Sequence, residues 1–167
     1  RLQLVDKAEL VQAFGLELEP RSLLVAWHPV TLEQVKPGQD FQVVLEALSE
    51  LIDTNLIFTK SNADTGGRII NKIIDDYVQD HPENSVAYTS LGQIRYLSTL
   101  KYVDGIVGNS SSGIIEAPSL ETGTVNIGDR QRGRARAASV IDCKLDSGRI
   151  KEAIAQIFDL DYKKKLE

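Results

Sequence analysis

The apolar pattern of this chain predicts an α/β fold, a Rossmann-like doubly wound parallel sheet of about six strands with helices on both faces. Three observations carry that expectation. Short apolar runs of strand length alternate with longer stretches whose apolar residues recur every three or four positions. The first run, Ser22 to Trp27 (SLLVAW), is apolar almost throughout, as in a strand buried on both faces. Distinctive polar residues follow the apolar runs, at the strand ends where open parallel sheets gather their ligands.

Each element has its own signal. Asp6 to Phe14 reads as a short amphipathic helix with Asp6 as N-cap and Gly15 as its stop. The strand Ser22 to Trp27 ends at His28-Pro29, where proline cannot extend a ladder. From Gln39 to Ile52 a helical stripe runs through Val43, Val44, Ala47, Leu48 and Leu51. Asn55 to Thr59 is the second strand, and its loop, Lys60 to Asp64, leads past Gly66-Gly67 into a helix carrying Ile69, Ile70, Ile73, Ile74 and Tyr77. Ser85 to Thr89 is a weaker third strand, and Gln93 to Leu100 a helix after the Ser90-Leu91-Gly92 loop. Val103 to Val107 is the fourth strand, followed by Gly108-Asn109, three serines, Gly113 and a helical pattern through Ile114, Ile115 and Glu116. Thr124 to Ile127 is the fifth strand, Ser139 to Ile141 a short sixth, and Ile150 to Phe158 a closing helix before a polar, lysine-rich end at Tyr162 to Glu167.

Size and composition bound the function. At 167 residues, 42% hydrophobic and 26% charged, the chain reads as one globular domain, residues 1–167, able to bury a core without staples. A net charge of −5 argues against nucleic acid as a partner, and no apolar run is long enough for a membrane span. The N-terminus lacks the apolar core of a signal peptide. The single Cys143 forms no internal disulfide and no CxxC metal knuckle, and it reads as a small buried hydrophobe. These features fit the cytoplasm, with no metal and no cofactor expected.

The chemistry concentrates between Tyr102 and Arg136. Strand, Gly/Ser-rich turn and helix in that order make an anion cradle, because the first turn of a helix has N–H groups without intrahelical partners. A plain cap needs only one Asn or Ser, whereas here Asn109, Ser110, Ser111 and Ser112 stand in a row between two glycines. Gly113 leaves room for a ligand to pass. Arg130, nearest the end of the fifth strand, is the member of the Arg130, Arg132, Arg134 and Arg136 group expected to approach the anion. In an extended segment residues spaced by two point alternately, so part of that group faces solvent. His28 follows the first strand and faces the same rim, where an imidazole can hold a phosphate or move a proton. Glu116 is placed to accept from a sugar's vicinal hydroxyls, or sits as an acid favoured by the helix start. Asn62 and Asp64 serve as turn and cap residues or as ligand contacts. His81, at the opposite edge, has no assigned role.

The segments GIVGNSSSGIIEAPS and TVNIGDRQRGR, together with LLVAWHPVTLE and the SNAD loop, resemble the hydrolysing branch of the UDP-N-acetylglucosamine 2-epimerase family over nearly the whole chain. The resemblance implies the C-terminal, UDP-binding half of a two-domain GT-B fold, with UDP or a UDP-sugar and a missing N-terminal domain as partners and a homo-oligomer left open. Carried over by motif, His28 lies near the phosphates with a part in catalysis, and Asn62 faces the sugar. Tyr96 lies near the uracil, Ser110 and Ser111 hold the diphosphate, Glu116 the ribose hydroxyls, and Arg130 approaches the nucleotide. The implied reaction converts UDP-GlcNAc to N-acetylmannosamine and UDP through a glycal, a step toward sialic acid, with the ring-directed carboxylates in the absent half. SLETGT stands where the family often has a Gly-x-Pro turn, with Gly123 available for it. Two other readings compete: a half specific for a UDP-diacetamido-trideoxy sugar, and a sugar-phosphate isomerase or binding domain. An interaction module is a further alternative, and an NAD-dependent dehydrogenase is disfavoured because no GxGxxG follows the first strand.

Overall fold

A computed structural model of the chain describes residues 3–30 and 36–166. The Thr31-Leu32-Glu33 end of the first-strand segment and Glu167 of the polar end lie outside them. The elements alternate as the apolar pattern requires: α1 (Lys7–Phe14), β1 (Arg21–Ala26), α2 (Pro37–Ser49), β2 (Thr54–Thr59), α3 (Thr65–Asp80), β3 (Ser85–Tyr88), α4 (Gly92–Tyr102), β4 (Gly105–Gly108), α5 (Ser112–Ile115), β5 (Gly123–Ile127), β6 (Val140–Cys143), α6 (Ser147–Phe158) and α7 (Leu160–Lys164). All six strands pair in parallel, in the order β3-β2-β1-β4-β5-β6. That is the doubly wound order of dinucleotide-type folds.

Strand periodicity explains why β1 is apolar throughout. Leu23, Val25 and Trp27 point into the core shared with α2, α3 and α6, whereas Leu24 and Ala26 point into the opposite core with α1 and α4. Leu56 and Phe58 against Ile57, and Val107 against Ile106, repeat the alternation on the neighbouring strands. At the N-terminus Asp6 accepts a hydrogen bond from the Glu9 N–H at 2.8 Å, and Gly15 closes α1 at φ +60°. Both match the capping pattern of the sequence.

Two local expectations are corrected. The Gly66-Gly67 pair lies inside the first turn of α3 rather than before it, since Asp64 already caps the helix by accepting from Gly67 N–H at 2.7 Å. The helix after the serine loop is a single turn that gives way to a 3-10 segment, Ala117–Leu120. Pro118 has no N–H to donate back to the carbonyl of Ile114, so the α-helical ladder stops. The polar, lysine-rich C-terminal segment is also anchored: the Tyr162 hydroxyl donates to the Ser139 carbonyl at 2.6 Å, and Lys163 pairs with Asp104. Asp104 in turn accepts from the Ser22 N–H at 2.8 Å, tying α7 to the start of β1.

The sheet changes winding direction between β1 and β4. The chain leaving β1 goes to α2 on one face and the chain leaving β4 goes to α5 on the other, which opens a crevice between their carboxyl ends. Gly108 closes β4 at φ +147°, and a Cβ there would lie 1.9 Å from the Ala26 carbonyl oxygen. Only glycine lets the two strand ends meet so closely. Gly108→Ala is therefore expected to cost roughly 2–4 kcal/mol, lowering Tm by on the order of 10 °C in a circular-dichroism melt. An unchanged Tm would mean that the strand ends separate without cost.

Candidate functional site

Asn109, the residue after that glycine, is 1% exposed and bridges the crevice with its side chain. Its Oδ1 accepts from the His28 N–H at 2.7 Å, and its Nδ2 donates to the His28 carbonyl at 2.8 Å. Its own carbonyl accepts from Arg130 Nη1 at 3.1 Å and from Gln131 Nε2 at 3.0 Å. Loops after β1, β4 and β5 thus meet on one residue. The sequence places Asn109 in the polar run of the anion cradle, but its amide is spent on the His28 main chain and does not cap α5. Gln131 is missed by the sequence reading as well. Its signal is faint: it is the uncharged polar residue inside an arginine run, and it is 3% exposed.

The serine loop lies immediately beyond. Ser112 N–H donates to Ser110 Oγ at 3.3 Å, and Ser111 occupies the N-cap position of α5 without a side-chain capping bond. The hydroxyl of Ser112 and one carboxylate oxygen of Glu116, Oε2, are buried with no hydrogen-bond partner among the described residues. Buried polar atoms in that state cost free energy unless something pairs with them. With only one helical turn, the donors of this loop are its N–H groups and hydroxyls rather than a long macrodipole. Gly113 has a different job from the expected one: a Cβ there would sit 2.5 Å from Thr124 Cγ2, so the close neighbour is β5. Thr124 Oγ1 donates to the Gly113 carbonyl at 2.6 Å and fixes that approach.

On the far side of the serines a cavity of about 370 Å³ is lined by Thr59, Ser90, Leu91, Gly92, Gln93, Tyr96 and Glu116, among others. Burial pushes the Tyr96 phenol above its ordinary pKa. The nearby Glu116 carboxylate adds to the rise, and the Ser112 and Ser110 hydroxyls act the other way. Tyr96 and Glu116 therefore share one pocket wall that begins where the serine loop ends. A larger open depression, about 570 Å³, lies past the ends of β5 and β6 with Arg132, Arg136 and Lys144 on its walls. There Arg136 pairs with Asp142 through Nε at 3.1 Å. Residues 130–134 form turns rather than an extended run, so the four arginines do not alternate as the spacing alone implies.

The structure brings His28, Ser110 and Arg130 together around Asn109, and Tyr96 with Glu116 around the adjoining cavity. Asn62 stands apart. It is exposed on the loop after β2, and its carbonyl packs against α3, where a Cβ on Gly67 would come within 1.7 Å. Asp64 is taken up as the cap of α3. His81 caps the other end of that helix, its Nδ1 2.9 Å from the Tyr77 carbonyl and its ring stacked on Tyr77. Cys143 is half-buried at the end of β6, and burial raises its thiol pKa to about 11, which makes it a poor nucleophile at neutral pH. Among the described residues no group of three His, Cys, Asp or Glu is placed to hold a metal, and no helix is long and apolar enough to cross a membrane.

The family model for UDP-N-acetylglucosamine 2-epimerase matches residues 3–167. The chain belongs to the UDP-N-acetylglucosamine 2-epimerase family. Within it, the chain is 37% identical over 145 residues to a Campylobacter jejuni GDP/UDP-N,N'-diacetylbacillosamine 2-epimerase (hydrolyzing), covering 87% of this chain and 38% of that protein. It is 40% identical over 154 residues to an Escherichia coli polysialic acid biosynthesis protein, covering 92% of this chain and 39% of that one. The chain thus spans about two fifths of the length of these epimerase-family relatives. A Methanocaldococcus jannaschii UDP-GlcNAc 2-epimerase solved with UDP-GlcNAc and UDP has the same fold at TM-score 0.69 and 14% identity, over 93% of this chain and 42% of that one. The GT-B epimerase architecture is therefore shared, with this chain matching one part of it.

Burial, then the neighbouring Arg130 guanidinium, lowers the His28 pKa below its ordinary 6.5, so the ring is neutral at pH 7. As pH falls below 6.5 the unfolded chain takes up a proton that the folded chain resists, and stability drops. Urea melts between pH 7.5 and 5 are expected to show wild type losing stability relative to His28→Gln as pH falls. Parallel curves would rule out a depressed His28.

Proposed function

We propose that this chain supplies the UDP-binding half of a hydrolysing UDP-N-acetylglucosamine 2-epimerase. The observation that carries the reading is the continuity of the site. Arg130 and His28 stand at one end, the serine loop in the middle, and the Tyr96–Glu116 cavity at the other. The unpartnered Ser112 hydroxyl and Glu116 Oε2 lie along that path. A nucleoside diphosphate has the matching order of groups. Its pyrophosphate would take the serine hydroxyls and Arg130, its ribose hydroxyls would donate to Glu116, and its base would enter the cavity beside Tyr96. Asn62, exposed on its own loop, would face the sugar.

The reaction adds one water to UDP-N-acetylglucosamine and yields N-acetylmannosamine and UDP. The C1–O bond breaks with its electron pair going to UDP as the C2 proton leaves, giving a glycal. Water then adds across that double bond with a proton delivered to C2 from the other face. What this chain contributes is stabilisation of the negative charge that grows on UDP. Fixed donors in a partly dehydrated site serve that purpose well. A neutral His28 can donate one N–H to the departing phosphate or pass a proton to it. The carboxylates that act on C2 belong to the N-terminal half that the family likeness implies, so the chain alone is expected to bind UDP with little turnover.

A second reading keeps the same chemistry on a diacetamido-trideoxy sugar. It is supported by the names of two relatives, from Campylobacter jejuni and Legionella pneumophila, both diacetylbacillosamine 2-epimerases. The name of the Escherichia coli relative supports a place in sialic acid biosynthesis. Cytoplasmic location and a possible homo-oligomer belong to the same proposal. Calorimetric titration should give UDP and UDP-N-acetylglucosamine affinities within about threefold of each other, and Ser111→Ala should weaken both by roughly fivefold to tenfold. Absence of heat with UDP would sink the nucleotide reading. Much tighter binding of the sugar nucleotide would mean that this half reads the sugar too.

A further inference from the structure

We propose that Asn109, backed by Gln131, is a positioning residue that locks the His28 loop and the Arg130 guanidinium onto the serine loop, so that the anion site is formed before any ligand arrives. The inference rests on the nucleotide reading above. It adds a residue whose side chain makes no contact with the ligand.

The geometry asks for an amide. One side chain has to accept from the His28 N–H and donate to the His28 carbonyl, and Asn109 does both across the gap between β1 and β4. A carboxylate at that position has no donor for the carbonyl, and an apolar group leaves two partly buried backbone groups without this partner. Gly108 brings the backbone close enough for the short Asn side chain to reach, with the Asn109 N–H itself 3.2 Å from the Ala26 carbonyl oxygen. The main-chain carbonyl of Asn109 then takes one donor from Arg130 and one from Gln131. A guanidinium has five N–H donors in a rigid fork, so spending one on Asn109 orients the others without exhausting them. Gln131 is buried, and its Oε1 has no partner among the described residues, so its contribution here is the single bond to Asn109.

These contacts join loops that run to opposite faces of the sheet. Nothing in the covalent chain holds His28 to Arg130, which lie far apart in sequence. The peptide unit and side chain of Asn109 provide that link. A site assembled in advance loses less freedom on binding than one that must be drawn together by the ligand.

The test uses the chain with UDP and, separately, inorganic pyrophosphate. Asn109→Ala is expected to weaken UDP by about tenfold or more in the wild-type background. In a His28→Ala, Arg130→Ala background the same change should cost less than about threefold, because the groups it positions are gone. Gln131→Leu, which also removes an unpaired buried oxygen, should weaken UDP several-fold while Tm holds or rises. Amide spectra without nucleotide should show the His28 and Arg130 signals moving together in Asn109→Ala. Undiminished affinity in Asn109→Ala would overturn the proposal, as would a full loss that persists in the double-alanine background. If Asn109→Ala does not fold, Gln131→Leu decides: unchanged affinity overturns the proposal. A wild-type chain that binds pyrophosphate but not UDP overturns only the nucleotide reading, and the same comparisons are then made with pyrophosphate.

Discussion

A parallel sheet that reverses its winding has a weak place at the reversal, because the loops on either side diverge. In this chain the reversal lies between β1 and β4, and the Asn109 amide spans it. Both backbone groups of His28 are paired by that one side chain, in a partly buried setting. An amide–backbone pair of this kind gains only about 0.5–1.5 kcal/mol per bond when made, yet leaving its buried groups unpaired costs more. The asymmetry turns a small stabilisation into a firm geometric constraint. The placement of His28, the serine loop and Arg130 relative to one another follows from it.

The elements around the crevice are subordinate to that junction. Gly108 permits the approach of strand ends, Thr124 and Gly113 lock α5 against β5, and Pro118 keeps α5 to one turn. A one-turn helix has little dipole to offer, so negative charge on a ligand would be met by hydroxyls, turn N–H groups and an arginine. The unpartnered Ser112 hydroxyl and Glu116 oxygen mark where polar surface is buried at a cost to the free chain. Functional sites often carry such a cost, which a bound molecule relieves. The neutral state of His28 has the same origin, since burial and a nearby guanidinium both resist a second positive charge.

Membership of the UDP-N-acetylglucosamine 2-epimerase family gives this arrangement its context. The relatives are more than twice the length of the matched segment, and under the proposed function the site described here would form one wall of a larger cleft. An opposing wall would cover Tyr96, Glu116 and the serine loop from the side that this chain leaves open. The division of labour in the proposed function, nucleotide on this half and ring chemistry on the other, follows from which groups this wall contains. Among the described residues it offers hydroxyls, turn N–H groups and a guanidinium around the serine loop.

Element types and their order were legible in the sequence because periodicity and capping are local. Alternating burial wrote β1 as an apolar run, and Asp6 and Gly15 mark the ends of α1 through their own neighbours. The serine loop and His28 stood out for the same reason, as unusual polar residues just past strand ends. What needed the tertiary structure was everything set by residues distant in the chain. Asn109 reads as one more polar residue of the anion cradle until β4 is seen beside β1. Gln131 has no role in the sequence until its amide is found on Asn109, and Gly113 reads as ligand clearance until Thr124 is found against it. The C-terminal lysines read as a tail until Lys163 meets Asp104. Hydrogen bonds between loops depend on strand order, and strand order is decided by how the whole sheet buries its two faces, which no local window of sequence encodes.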